Sequence, residues 1–216
     1  GLGRALNQGM SLCRYEVVVR ADSDDIAVPE RCERLVPHLA HLGDPGSVDT
    51  RVRGDVVDVV GSAIREFSGD ERHLGQIRRL PAGGAELLAY ARLQSPLHHP
   101  SVAYRKSVVE GVGGYPEHAG RFEDYLLWER LILSGASMAN LPDPLVLYRV
   151  DAGAYERRGD HSMFRDEIAL QRQFHVDGFT TTTQFLRNVM VRAAYRLLPT
   201  GLRRMGYRTL TALHNR

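Results

Sequence analysis

The chain has 216 residues, 43% hydrophobic and 25% charged, with a net charge of +2. That is enough for a sizeable core and too balanced for a large overall field. Two cysteines, Cys13 and Cys32, exclude a disulfide framework and point to a reducing compartment, and no apolar run reaches the roughly 18 residues of a membrane-spanning helix.

The chain opens without Met or a targeting pattern, already inside an amphipathic helix. In "GLGRALNQGMSLCR", Leu2, Leu6, Met10 and Cys13 recur near helical spacing, so a piece of a longer protein is expected. Residues 16–21 read as a strand covered on both faces, because Val17, Val18 and Val19 form a β-branched run. Pro29 suits the first turn of a helix that continues through "ERCERLVPHLAHL" and breaks at Pro37. "DVVDVVGSAIREF" predicts a strand, "AGGAELLAYARL" a helix, "SPLHHP" a loop and "SVAYR" a short strand. "KSVVEGVGGY" predicts a short helix closing on Gly113 and Gly114, "FEDYLLWERLILSG" a helix stopped by Gly135, and "PLVLYRV" a last strand. The alternation predicts an α/β domain with a largely parallel sheet, with ligands beyond the carboxyl ends of its strands. Beyond residue 150, "FRDEIALQRQF" predicts a helix. Residues 178–216 contain no Asp or Glu but carry Arg187, Arg192, Arg196, Arg203, Arg204, Arg208 and Arg216 beside an apolar face, with a break at Pro199.

Four features carry chemistry. Asp22, Asp24 and Asp25 in "RADSDDIAVPE" make either an Asx-rich turn capping the next helix or a site for a hard divalent ion. Carboxylates crowded at a sheet's end repel unless a cation offsets them, and Mg²⁺ fills its shell with phosphate oxygens and water. Glu123 and Asp124 either complement a helix dipole or supply a general base. His98 and His99 either cover the sheet's end or line a pocket, with His99 the candidate on the nucleotide side. The basic tail is either a solvated helix packed on the domain or a contact to an anionic membrane surface. It carries no nucleic-acid motif, and no nucleic-acid partner is expected.

In order, "GLGRALNQGM", "RADSDDIAVPER", "DVVGSAI", "HHPSVAYRKSVVEGVGGY", "FEDYLLWERL" and "LPDPLVLYRV" resemble a bacterial family 2 glycosyltransferase of the GT-A fold. The chain is similar to enzymes that build exopolysaccharide, capsule or O-antigen units, the amylovoran-type transferases included. The resemblance covers residues 1–150, and 151–216 is similar to the variable C-terminal extension of these enzymes. It implies a Rossmann-like mixed sheet with flanking helices, N-terminally truncated here, plus a helical basic extension. Asp22-Ser23-Asp24 matches the D-x-D that holds Mg²⁺ or Mn²⁺ on the diphosphate of a nucleotide sugar, here a UDP-sugar. Asp24 would ligate the metal, and Asp22 would face the ribose or a metal-bound water. Asp25 would support them or cap the helix.

Asp124 matches the catalytic base, activating an acceptor hydroxyl with inversion at the anomeric carbon, and Glu123 would position the base or bind acceptor. Relatives carry a metal-binding His after "YR"; Asp151 lies near that place and would substitute for it, since a carboxylate oxygen suits Mg²⁺ or Mn²⁺, or else the third ligand is absent. The Q-x-x-R-W signature of processive synthases is absent, so one sugar per encounter is expected. The acceptor would be a lipid-linked saccharide at the cytoplasmic membrane face. The rival expectations are a truncated domain that only binds, and an Mg²⁺-dependent phosphohydrolase using D-x-D.

Overall fold

A computed structural model describes residues 1–39, 56–118, 120–150 and 161–197. Helix α1 (Leu2–Leu12) leads into β1 (Val17–Val19) and the very short β2 (Ile26–Ala27). Helix α2 (Arg31–Leu35) tightens into a 3₁₀ turn (Val36–Leu39) where Pro37 cannot continue the helix. Pro29 lies in the turn ahead of α2 rather than in its first turn. Strands β3 (Val59–Ser68) and β4 (Asp70–Arg78) form a hairpin, followed by α3 (Gly84–Ala91), a 3₁₀ turn (His99–Ser101) and β5 (Ala103–Arg105). Then come α4 (Lys106–Gly111), α5 (Glu123–Leu133), β6 (Met138–Arg149), α6 (His161–Val176) and α7 (Thr182–Leu197). Among the described residues, no helix is long and apolar enough to cross a membrane.

The sheet is mixed, in the order β1-β5-β3-β6-β2, with β4 on β3. This is the arrangement the resemblance implies, and it corrects the largely parallel sheet expected from patterning. Among the described residues only β3 and β6 run parallel, joined by a crossover that contains β4, α3, β5, α4 and α5. The β3–β4 turn at Gly69 (φ +66°) is too tight to return the chain in any other sense. The short strands β1, β2 and β5 pair antiparallel with their neighbours.

Strand alternation sorts the core onto two faces. Val18, Val59 and Tyr104 point to one face and pack against Met10, Val109, Leu127, Trp128 and Leu131 of the helices. Their neighbours Val60 and Ala103 point to the other and meet Leu35, Leu39 and Leu145, with Val17 and Val19 packed beside them. The valine run is therefore covered on both faces, as its composition predicts. Helices α6 and α7 close over the far side of α5. Phe174 and Phe179 stack edge-on with each other and, through Phe174, with Tyr125 at a 4.7 Å centroid distance.

Candidate functional site

The aspartates occupy the turn between β1 and β2, and three arginines hold it. Arg20 is buried, its N–H donates to Val102 O at 3.0 Å, and its guanidinium lies 2.5 Å from Asp22 Oδ1. Arg31, also buried, donates one guanidinium nitrogen to the carbonyls of Arg20 (2.5 Å) and Pro100 (2.9 Å), tying the turn to the segment after His99. Arg149, the last residue of β6, donates its backbone N–H to Asp25 Oδ1 and its Nε to Asp24 O, both at 2.9 Å. Its guanidinium also lies 4.5 Å from the centre of the Phe67 ring.

One carboxylate oxygen from each of Asp22, Asp24 and Asp25 lies within 4.8 Å of the others. Asp24 is exposed and the other two are half-buried. Asp25 Oδ2 is buried without a hydrogen-bond partner. Burial pushes the Asp25 carboxyl above its ordinary range. The Arg149 N–H pulls it back, and its two neighbouring aspartates push it up again. Clustered hard oxygens with an orphaned buried acceptor fit a divalent cation of the Mg²⁺ or Mn²⁺ kind. Asp25 spends one oxygen on Arg149, and α2 has no side-chain cap, so Asp25 supports the turn rather than capping the helix.

Helix α5 presents the acidic pair. Glu123 is buried and Asp124 half-buried in its first turn. Asp124 Oδ1 accepts the N–H of Tyr125 at 2.7 Å. Burial, and more weakly Glu123, push the Asp124 carboxyl up to about 6, against the pull of that N–H and of Arg20. The Tyr125 hydroxyl donates to Ala91 O at 2.6 Å and fixes the helix start on α3. Trp128, Leu127 and Leu131 are fully buried core, as their spacing predicts.

His99 is buried between the aromatic rings. Its Nε2 lies 3.2 Å from the Tyr115 hydroxyl, and its ring meets Trp128 edge-on at 6.0 Å. Burial, helped by Arg20, lowers it to about 3, so the imidazole is neutral at ordinary pH. His98 is lowered to about 3 by burial and Arg78. Asp151, the expected third metal ligand, lies outside the described residues, as do Arg203, Arg204, Arg208 and Arg216 and the side chain of Arg196. Arg192 donates to Leu93 O at 2.8 Å and so turns to the protein, while Arg187 is exposed and donates to its neighbour Asn188 Oδ1 at 3.0 Å. Leu186, Met190 and Val191 are left exposed on α7.

Arg20, Arg31, Arg149 and Tyr115 escaped the sequence reading. The only local signal was arginine beside the acidic run and at the end of the last strand.

Residues 1–112 match the family described as glycosyl transferase family 2. The UDP-Gal:alpha-D-GlcNAc-diphosphoundecaprenol beta-1,3-galactosyltransferase of Escherichia coli is 32% identical, over 94% of this chain and 69% of its own length. The amylovoran biosynthesis glycosyltransferase AmsE of Erwinia amylovora is 32% identical, over 92% of this chain and 69% of its own length. Among solved structures, the mannosyltransferase PcManGT from Pyrobaculum calidifontis, in complex with GDP-Man and Mn²⁺, aligns with a TM-score of 0.50 at 18% identity. That alignment covers 93% of this chain and 50% of that one, and it shows a shared GT-A-like fold.

Proposed function

Because the chain belongs to glycosyl transferase family 2, we propose that it moves one sugar from a UDP-sugar to a hydroxyl of a lipid-linked saccharide, with inversion, in cell-surface polysaccharide synthesis. The observation that carries this reading is the carboxylate cluster of Asp22, Asp24 and Asp25, pinned at the end of β1 by Arg20 and Arg149. Asp24, exposed, and Asp22 would hold the divalent ion, with Asp151 the candidate for a further ligand. When bound, that ion supplies positive charge against the departing diphosphate.

Asp124 takes the proton of the acceptor hydroxyl as its oxygen bonds to the anomeric carbon and the bond to the diphosphate breaks. A carboxyl raised to about 6 is a stronger base than a free one and is still ionised at neutral pH. Glu123 positions Asp124 or the acceptor. His99, neutral and buried, packs between Tyr115 and Trp128 on the side assigned to the nucleotide. The E. coli relative, a UDP-Gal:alpha-D-GlcNAc-diphosphoundecaprenol galactosyltransferase, supports a UDP donor and a diphospho-lipid acceptor. Its apolar outward face brings α7 to the membrane surface, with the arginines of the following segment on anionic headgroups, at the cytoplasmic side.

The test supplies Mn²⁺, a set of UDP-sugars and a synthetic N-acetylglucosamine-diphospholipid, and follows UDP release and product mass. Asp124-dependent transfer supports the reading. Phosphate release from a simple phosphomonoester, without transfer, would replace it with the phosphohydrolase.

A further inference from the structure

The outward side of α6 has no part in the chemistry above. Leu170, Gln171 and Phe174 turn this helix to the core, where they are buried. On the opposite side lies a groove of about 480 Å³. Phe164, Ile168, Arg172 and Val176 run along it in one i, i+4 row, beside Arg165 and Gln173. Ile168 is half-buried and Val176 is 80% exposed. The row spans roughly 18 Å, and Arg172 does not break it, because an arginine stem can lie along apolar surface while its charge stays in water.

The groove has two unlike ends. Arg165, exposed, stands at its start. Next to it Asp166 faces Gly120, with Oδ2 3.6 Å from where a Cβ on that glycine would stand. At the far end the Gln173 amide donates to both carboxylate oxygens of Asp177, at 2.9 and 2.8 Å. Glu167 lies on the core side, one turn before Leu170 and Gln171. The described residues that line the groove therefore include two arginines and no carboxylate. Gly120 precedes Asp124 closely in the chain, and Phe174 meets Tyr125 at a 4.7 Å centroid distance. The Arg165 end thus opens beside the segment that enters α5.

An apolar groove headed by a guanidinium fits an amphiphile with an anionic head. The chain's own basic end is a poor occupant. Residues 198–216 carry Arg203, Arg204, Arg208 and Arg216 without an acid, and these charges would meet Arg165 and Arg172. Resting on the transferase reading, we propose that the groove is the subsite for the lipid of the acceptor. Arg165 meets the diphosphate that joins saccharide to lipid, and Phe164, Ile168 and Val176 take the first apolar units of the chain. The saccharide then lies toward Asp124 while the lipid leaves along α6.

The test titrates the chain with a dansyl-labelled long-chain alkyl diphosphate, below its micelle concentration, and reads anisotropy, so that binding needs no turnover. Ile168→Glu and Val176→Glu are each expected to weaken binding by roughly tenfold. Arg165→Gln is expected to weaken it by a similar factor and to leave binding of the uncharged alcohol of the same chain unchanged. Val176 and Arg165 are exposed, so their variants still decide if Ile168→Glu does not fold. Equal affinity of the parent and the folded variants overturns the proposal. So does a loss seen only on phosphatidylglycerol vesicles, which would make this side a general membrane contact. In transfer assays Val176→Glu is expected to raise KM for a long-chain acceptor by about tenfold and to leave a short-chain one unchanged. Absence of transfer from every UDP-sugar by the parent sinks the transferase reading, while the diphosphate titration still decides the groove.

Discussion

Arg149 grips two consecutive aspartates at once, through its backbone N–H to Asp25 Oδ1 and its Nε to Asp24 O, each at 2.9 Å. A third bond, from its terminal nitrogen to Gly69 O at 3.1 Å, ties the same side chain to the β3–β4 turn. The last residue of β6 thus holds the backbone of Asp24 in place. Arg149→Met keeps the backbone bond and loses the others. Its Mn²⁺–UDP affinity is expected to fall by about tenfold, as for supporting partners of metal ligands generally. Calorimetry on the two proteins checks this, and equal affinities would show that Arg149 only stabilises the fold.

Asp124→Asn keeps the size of the side chain and removes the base. Transfer is expected to fall by roughly 10²–10⁴, while UDP binding stays unchanged. In the parent protein the acid limb of the rate profile is expected near pH 6, because the carboxyl raised to about 6 must be ionised to act. A limb near pH 4 would mean that another group is the base.

Glu129 gives a pH signature unrelated to transfer. It is buried on α5 and pushed up to about 8, first by burial and then by Asp177. Its folded value lies above its unfolded one, so its contribution to stability is full below about 4.5 and is lost as pH rises through about 8. Glu129→Gln carries no charge at any pH. Urea unfolding should find the variant more stable than the parent at pH 9, by roughly 1–3 kcal/mol, and the difference should vanish near pH 4.

Helix α1 docks by a close approach that only glycine permits. A Cβ on Gly3 would strike the backbone carbonyl of Pro116. One turn on, the Asn7 side chain both donates to Tyr115 O (2.8 Å) and accepts from Tyr115 N–H (2.7 Å). Gly3→Ala is expected to cost about 1–3 kcal/mol by pushing the helix off this segment, measured by urea unfolding. A cost near zero would show that α1 is free to shift.

The helices and most strands were legible because their apolar residues repeat at the period of the element. Val18, Val59 and Trp128 announced their burial in this way. Strand β4 was not legible. Most of Asp70–Arg78 is exposed, so no apolar alternation marks it, and it exists because the Gly69 turn lays it along β3. The parallel reading of the sheet failed for a related reason. Strand direction is a property of pairing partners, and Val17–Val19 and Ala103–Arg105 are too short to reveal theirs. At the site, Asp22, Asp24 and Asp124 stood out by type and order. Arg20, Arg31 and Arg149 did not, because their roles arise only when the ends of three chain segments meet. His99 could be read either way from "LHHP", and its place between Tyr115 and Trp128 follows from a contact with α5 that no local pattern encodes.

The proposed transfer depends on the aspartate turn binding a metal–nucleotide diphosphate. Isothermal calorimetry of UDP against the chain, with and without Mn²⁺ and repeated on Asp24→Asn, tests it most directly. Saturable binding that requires Mn²⁺ and is lost in Asp24→Asn is the expected result. Binding that ignores both the metal and the substitution, or no binding at millimolar UDP, would contradict it.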